Sequence, residues 1–134
     1  MNPILRNILA FIAGLVGGSI VNMGLVMMGE IVVPLPDGTD GSTMEGLKAA
    51  MPLFELKHFL FPFLAHAIGT LAGALIATII AASYKMQLAM IIGCLFFLGG
   101  VYMVFSVPSP AWFSILDLVV AYIPMAWLGY KLAK

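Results

Sequence analysis

Charge is scarce in this chain. Of 134 residues, 6 are Lys or Arg and 6 are Asp or Glu, together 9%, whereas a soluble domain usually carries about 25%. Cysteine is scarcer still. Cys94 stands alone, so one chain can form no internal disulfide and no CxxC redox or metal pair. The HExxH spacing of zinc hydrolases does not occur. Formal net charge is zero, without the basic excess that marks a nucleic-acid partner, and none is expected.

What is abundant is apolar surface. Hydrophobic residues make up 63% of the chain and mean hydropathy is +1.12. A soluble fold needs polar groups over its surface, so lipid is the natural solvent for this composition. A helix that crosses hydrocarbon needs about 20 mostly apolar residues. Four segments qualify, at about 4–33, 53–83, 88–107 and 111–132. The first is far longer than the 7–15-residue apolar core of a signal peptide and reads as a retained helix. The expected fold is an all-α bundle of four membrane spans in one domain, residues 1–134.

The connections follow from turn chemistry. Pro34 and Pro36 stop the first span, because proline lacks the donor N–H and blocks the preceding turn. PDGTDGS after it is a loop. Ser42 and Glu45 then stand at capping-box spacing, which predicts a short helix over about 43–50, lying at the membrane surface. Ser83-Tyr84-Lys85 and VPSPAW are tight turns. Pro62 and Pro124 fall within spans and predict kinks.

Arg6, Lys85, Lys131 and Lys134 fall on one side of the membrane, and Lys48 and Lys57 on the other. Positive residues favour the cytoplasm, which predicts both termini inside, in a bacterial inner membrane. Tyr102, Trp112 and Trp127 lie near span ends, where interfacial aromatics collect.

Lipid tails are as apolar as leucine, so membrane helices associate by close backbone approach between small residues. The second span carries such a row at Ala65, Gly69, Gly73, Ala77 and Ala81, and the first at Ala10, Gly14 and Gly18. Both rows are expected to face helices, in this chain, a second copy or a larger membrane complex.

Five polar residues then stand out. Asn22, Glu30, His58, His66 and Asp117 come from three spans and fall in the half nearer the first loop. His66 is about 12 Å deeper than His58, and Asp117 about 9 Å below the start of its helix, at 1.5 Å per residue. Ionisable groups in a membrane tend to face the interior and pair, so His66 is expected to pair with Asp117 or Glu30 as a proton-sensitive unit. His and carboxylate ligands also suit zinc, iron or manganese, and the Met23/Met27 pair resembles the thioether pair of copper transporters. Neither pattern fixes a metal, and the cofactor stays unknown. The bland alternative is that these groups only hydrogen-bond across helices.

Other four-span proteins are set apart by residues. Glu30 lies at the end of its span, unlike the mid-helix glutamate of small multidrug transporters, and the cysteine pairs of disulfide-generating enzymes and claudin-like proteins are missing. The leading expectation is a non-enzymatic membrane protein that binds or conducts a small solute, ion or proton through the polar cluster. An accessory or scaffolding subunit is the alternative, and a membrane enzyme or redox protein the third.

Overall fold

The computed structural model describes residues 1–134 as six α-helices with no strand: α1 (Pro3–Val32), α2 (Met44–Ala50), α3 (Leu60–Ile80), α4 (Lys85–Ser106), α5 (Ala111–Val120) and α6 (Ile123–Ala133). The four long apolar units are α1, α3 with the 3₁₀ turn Leu56–Phe59 before it, α4, and α5 with α6. Each is long and apolar enough to cross a membrane. Their outward faces carry exposed Ile4, Ile8, Ile12, Val16 and Ile20 on α1 and Leu98, Tyr102 and Phe105 on α4. Such surface is stable against lipid and costly against water.

Helix α3 is the centre, packed by α1 on one side and by α6 and α4 on the others. The reason is the small-residue rows. A methyl at Gly14 would come within 2.6 Å of the Gly73 carbonyl oxygen, and one at Gly18 within 2.7 Å of that of Gly69. Gly69 and Gly73 meet the Gly18 and Gly14 carbonyls in return. The rows therefore face each other inside one chain, with Ala10, Ala65 and Ala77 fully buried beside them. On the far face of α3, Gly129 of α6 lies against Leu71 and Ala74.

The ends of α3 differ from the sequence expectation. The helix does not start near Leu53. Met51–Leu53 and Leu56–Phe59 are 3₁₀ turns, and the α-helix begins at Leu60. Pro62 thus occupies the first turn, where its missing N–H is one the helix leaves unpaired anyway, so it makes no kink. At the other end, the last carbonyls of α3 are capped by α1 and α4. Arg6 Nε donates to Ile80 O, and Lys85 Nζ donates to Thr78 O and Ala81 O at 2.7 Å each. Asn7 fastens the turn that follows. Its Oδ1 accepts from the amides of Ala82 at 2.9 Å and Ser83 at 3.2 Å, and its Nδ2 donates to Ser83 Oγ at 3.0 Å. Tyr84 in this turn takes a left-handed backbone, φ 52°.

The short helix forms, but not with the expected cap. Thr43 is its N-cap, and the Thr43 hydroxyl accepts from Gly46 N at 3.0 Å. Ser42 instead serves the loop before it, donating its amide and hydroxyl to Asp40 Oδ1 at 2.9 and 2.6 Å. Those two donors hold the Asp40 carboxyl below the usual carboxylate range.

Candidate functional site

The fourth apolar unit is not one helix. Its α-helix ends at Val120, passes through Ala121 and Tyr122, and resumes at Ile123. Pro124 is the cause, since it offers no N–H to the Val120 carbonyl. The ladder stops with Ala121 N bonding Asp117 O and restarts with Ala126 N bonding Tyr122 O. The Tyr122 amide makes no bond to the Leu118 carbonyl, and Pro124 has no N–H to offer the Val120 carbonyl. The expected kink at Pro124 is therefore a break, and it falls one turn after Asp117.

The break turns Tyr122 back toward α3 and α4, where it meets Asp117 and His66. His66 Nδ1 lies 2.8 Å from Asp117 Oδ1 and 3.0 Å from Oδ2. The Tyr122 hydroxyl donates to Asp117 Oδ2 at 3.2 Å. The Tyr122 ring stacks on the imidazole, with centroids 5.7 Å apart. Asp117 is enclosed, its side chain 6% accessible, while that of His66 is 26% accessible. An ionised carboxylate can only accept, so it selects the tautomer with a proton on Nδ1. The second ring nitrogen, Nε2, makes no hydrogen bond within the chain.

Two adjoining cavities meet at His66. The larger, about 460 Å³, runs from the long loop to the dyad, and its wall includes Asn22, Glu30, His58, His66 and Asp117. The smaller, about 200 Å³, lies deeper, with Ser19, Asn22, His66, Thr70 and Tyr122 in its wall. All five polar residues singled out in the sequence thus border one connected space, in different ways. Asn22 lines both cavities, and its side chain makes no hydrogen bond in the chain. Glu30 is exposed at the rim. His58 is buried, and its Nδ1 accepts from Glu55 N at 2.8 Å, which gives it a structural task in starting the turn before α3. Glu55 and His58 stand at an ExxH spacing, but His58 spends that nitrogen on the backbone. No three His, Cys, Asp or Glu side chains converge as a metal-binding group. Met23 borders the larger cavity and Met27 does not, so the thioether pair does not act as a unit there. Cys94 is exposed on the apolar surface.

Two residues of the site carry no strong sequence signal. Tyr122 reads as one more aromatic in a span, and only Pro124 two residues later hints at a break. Thr70 lies one turn beyond His66, and its hydroxyl donates to His66 O at 2.7 Å, which leaves its oxygen to the smaller cavity. Comparison with protein-family models, curated proteins and solved structures returns no match.

Proposed function

We propose that this chain is an integral membrane protein with both termini cytoplasmic, in a bacterial inner membrane, and that it binds a small solute or ion at the His66–Asp117–Tyr122 centre and exchanges a proton there. The orientation rests on Arg6, Lys85, Lys131 and Lys134 at one end of the bundle against Lys48 and Lys57 at the other. On that reading α2 lies at the outer membrane surface, and the larger cavity opens outward. The observation that carries the function is the cavity of about 460 Å³ that ends on the dyad. A purely structural pair would be sealed by neighbours. Here the imidazole faces the space with Nε2 free, and Asn22 faces it too without a partner.

The proton chemistry follows from the tautomer. With Asp117 accepting from Nδ1, the imidazole presents a lone pair at Nε2 and can take a proton there, while the carboxylate balances the charge that forms. The accessory-subunit alternative has less support, because the small-residue rows that suggested a partner face are consumed between α1 and α3.

The test is a thermal-unfolding screen of the protein in lipid nanodiscs against monovalent ions, organic cations, organic anions and neutral solutes, with His66→Gln and Asp117→Asn alongside. At least one class is expected to raise the Tm of the parent by several degrees and to leave His66→Gln unmoved. Stabilisation that survives both substitutions, or none in any class, would remove this reading.

A further inference from the structure

The space around His66 also opens sideways. Helix α3 is the floor of the smaller cavity, and α1 and α4 are its walls. Those walls touch where Ile92 and Phe96 reach Gly14 and Gly18. Toward the loop end they separate. A methyl placed on Gly99 would meet nothing within 4 Å, although Gly99 lines the cavity. Ser19 across from it is exposed, and Leu95 is 40% exposed. The gap continues into the larger cavity between Met23 and Val26 on α1 and Met103 and Val104 on α4. These are apolar walls at a face that the proposed topology turns to lipid.

The chemistry at the inner end is selective. Nε2 of the neutral dyad is an acceptor, so the bound head must donate. Of the charged side chains that border the two cavities, Asp117 and Glu30 are negative and only Lys57 is positive. Lys57 already faces Glu55 at 3.6 Å in a solvated pair. The wall also carries Phe54, Phe59, Phe61, Phe96 and Phe113, and aromatic faces attract cations. A buried carboxylate without a full positive partner favours a cation over a neutral alcohol and excludes an anion.

We propose that the ligand is a lipophilic amine, taken in its protonated form from the bilayer through the window between α1 and α4, with its ammonium group donating to His66 Nε2 and its apolar body lying between α1 and α4. This rests on the solute-binding reading above and names its substrate class and entry route.

Three compounds with one tail and three heads make the test: dodecylamine, dodecanol and dodecanoate, each at the same mole fraction in nanodiscs holding the full chain. Native mass spectrometry reads bound stoichiometry, and thermal unfolding reads affinity. Dodecylamine is expected to bind one per chain, and the other two not. His66→Gln should weaken it about tenfold or more, the usual scale for a hydrogen bond to a charged group. Gly99→Leu should close the window and abolish binding while circular dichroism and Tm stay at parent values, since the added side chain enters open space. Binding of all three heads alike, or preference for the alcohol or the acid, would overturn the amine. Undiminished binding in Gly99→Leu would overturn the window. If none of the three binds while a water-soluble class still stabilises the parent through His66, this proposal fails and the solute-binding reading stands. If neither set binds, both fail.

Discussion

His66 Nδ1 lies 2.8 Å from Asp117 Oδ1, across 51 positions of chain, and the bond joins the central helix α3 to the half-helix α5 just before the break at Tyr122. The pair therefore fixes the orientation of a segment whose own ladder is interrupted. Removing His66 strands the enclosed Asp117 carboxylate, whereas replacing both by apolar groups of similar shape can be nearly neutral. His66→Leu alone, which leaves that carboxylate unpaired, is expected to lower stability by about 3–5 kcal/mol, the scale of a broken buried pair. The double variant His66→Leu/Asp117→Leu should recover most of that in chemical unfolding from mixed micelles, and it should bind no ligand. A double variant that retains ligand binding would make the pair merely structural.

The glycines of the bundle divide by what lies above them. Gly69→Leu and Gly73→Leu would drive a side chain into the backbone of α1, and each is expected to destabilise the fold by at least about 1–3 kcal/mol, the usual cost of overpacking. Gly24→Leu, on the same helix as Gly14 and Gly18, should be tolerated, because nothing lies within 4 Å of its added carbon. Equal losses at Gly24 and Gly69, measured by thermal unfolding, would contradict the packing of α1 on α3.

Asn7 is expected to matter more than its half-buried position near the chain start implies. Asn7→Ala leaves the amides of Ala82 and Ser83 without their side-chain acceptor and should cost about 1–2 kcal/mol, the scale of a lost helix cap. Asn7→Asp should restore most of it, since the carboxylate keeps the acceptor. Hydrogen exchange at the amides of residues 82 and 83 reads the effect directly.

Orientation is checked by chemistry on intact cells. In a Cys94→Ala background, a cysteine at Ser42 should react with a membrane-impermeant maleimide, and one at Lys134 should react only after permeabilisation. The reverse pattern would invert the proposed topology.

The loop before α2 has a pH dependence of definite sign. The amide and hydroxyl of Ser42 lower the Asp40 carboxyl below its ordinary value of 3.8. The ordering they give the loop is present above that ordinary value and is lost as pH falls through the lowered one. Ser42→Ala should return the carboxyl toward 3.8, read by NMR titration of the Asp40 side chain.

Composition and spacing alone were enough for the four apolar units, the turns between them and the polar residues worth following. Helix length and hydropathy are local quantities, and the cost of a charge in hydrocarbon singles out His66 and Asp117 wherever they point. The small-residue rows were equally legible, because a spacing of four places Gly69 and Gly73 on one side of α3 whatever packs there. It took the packed helices to show that the opposing row, Gly14 and Gly18, belongs to the same chain. The same packing starts α3 at Leu60, leaving Pro62 harmless in its first turn, while Pro124 divides the last span into α5 and α6. Proline has one local effect, a missing donor, and its consequence depends on whether that donor was needed. Asn7, Tyr122 and Thr70 were silent in the sequence for a related reason. Each acts through a hydrogen bond, and hydrogen bonds depend on distances of about 3 Å. Composition and periodicity carry no such distances until the helices are packed.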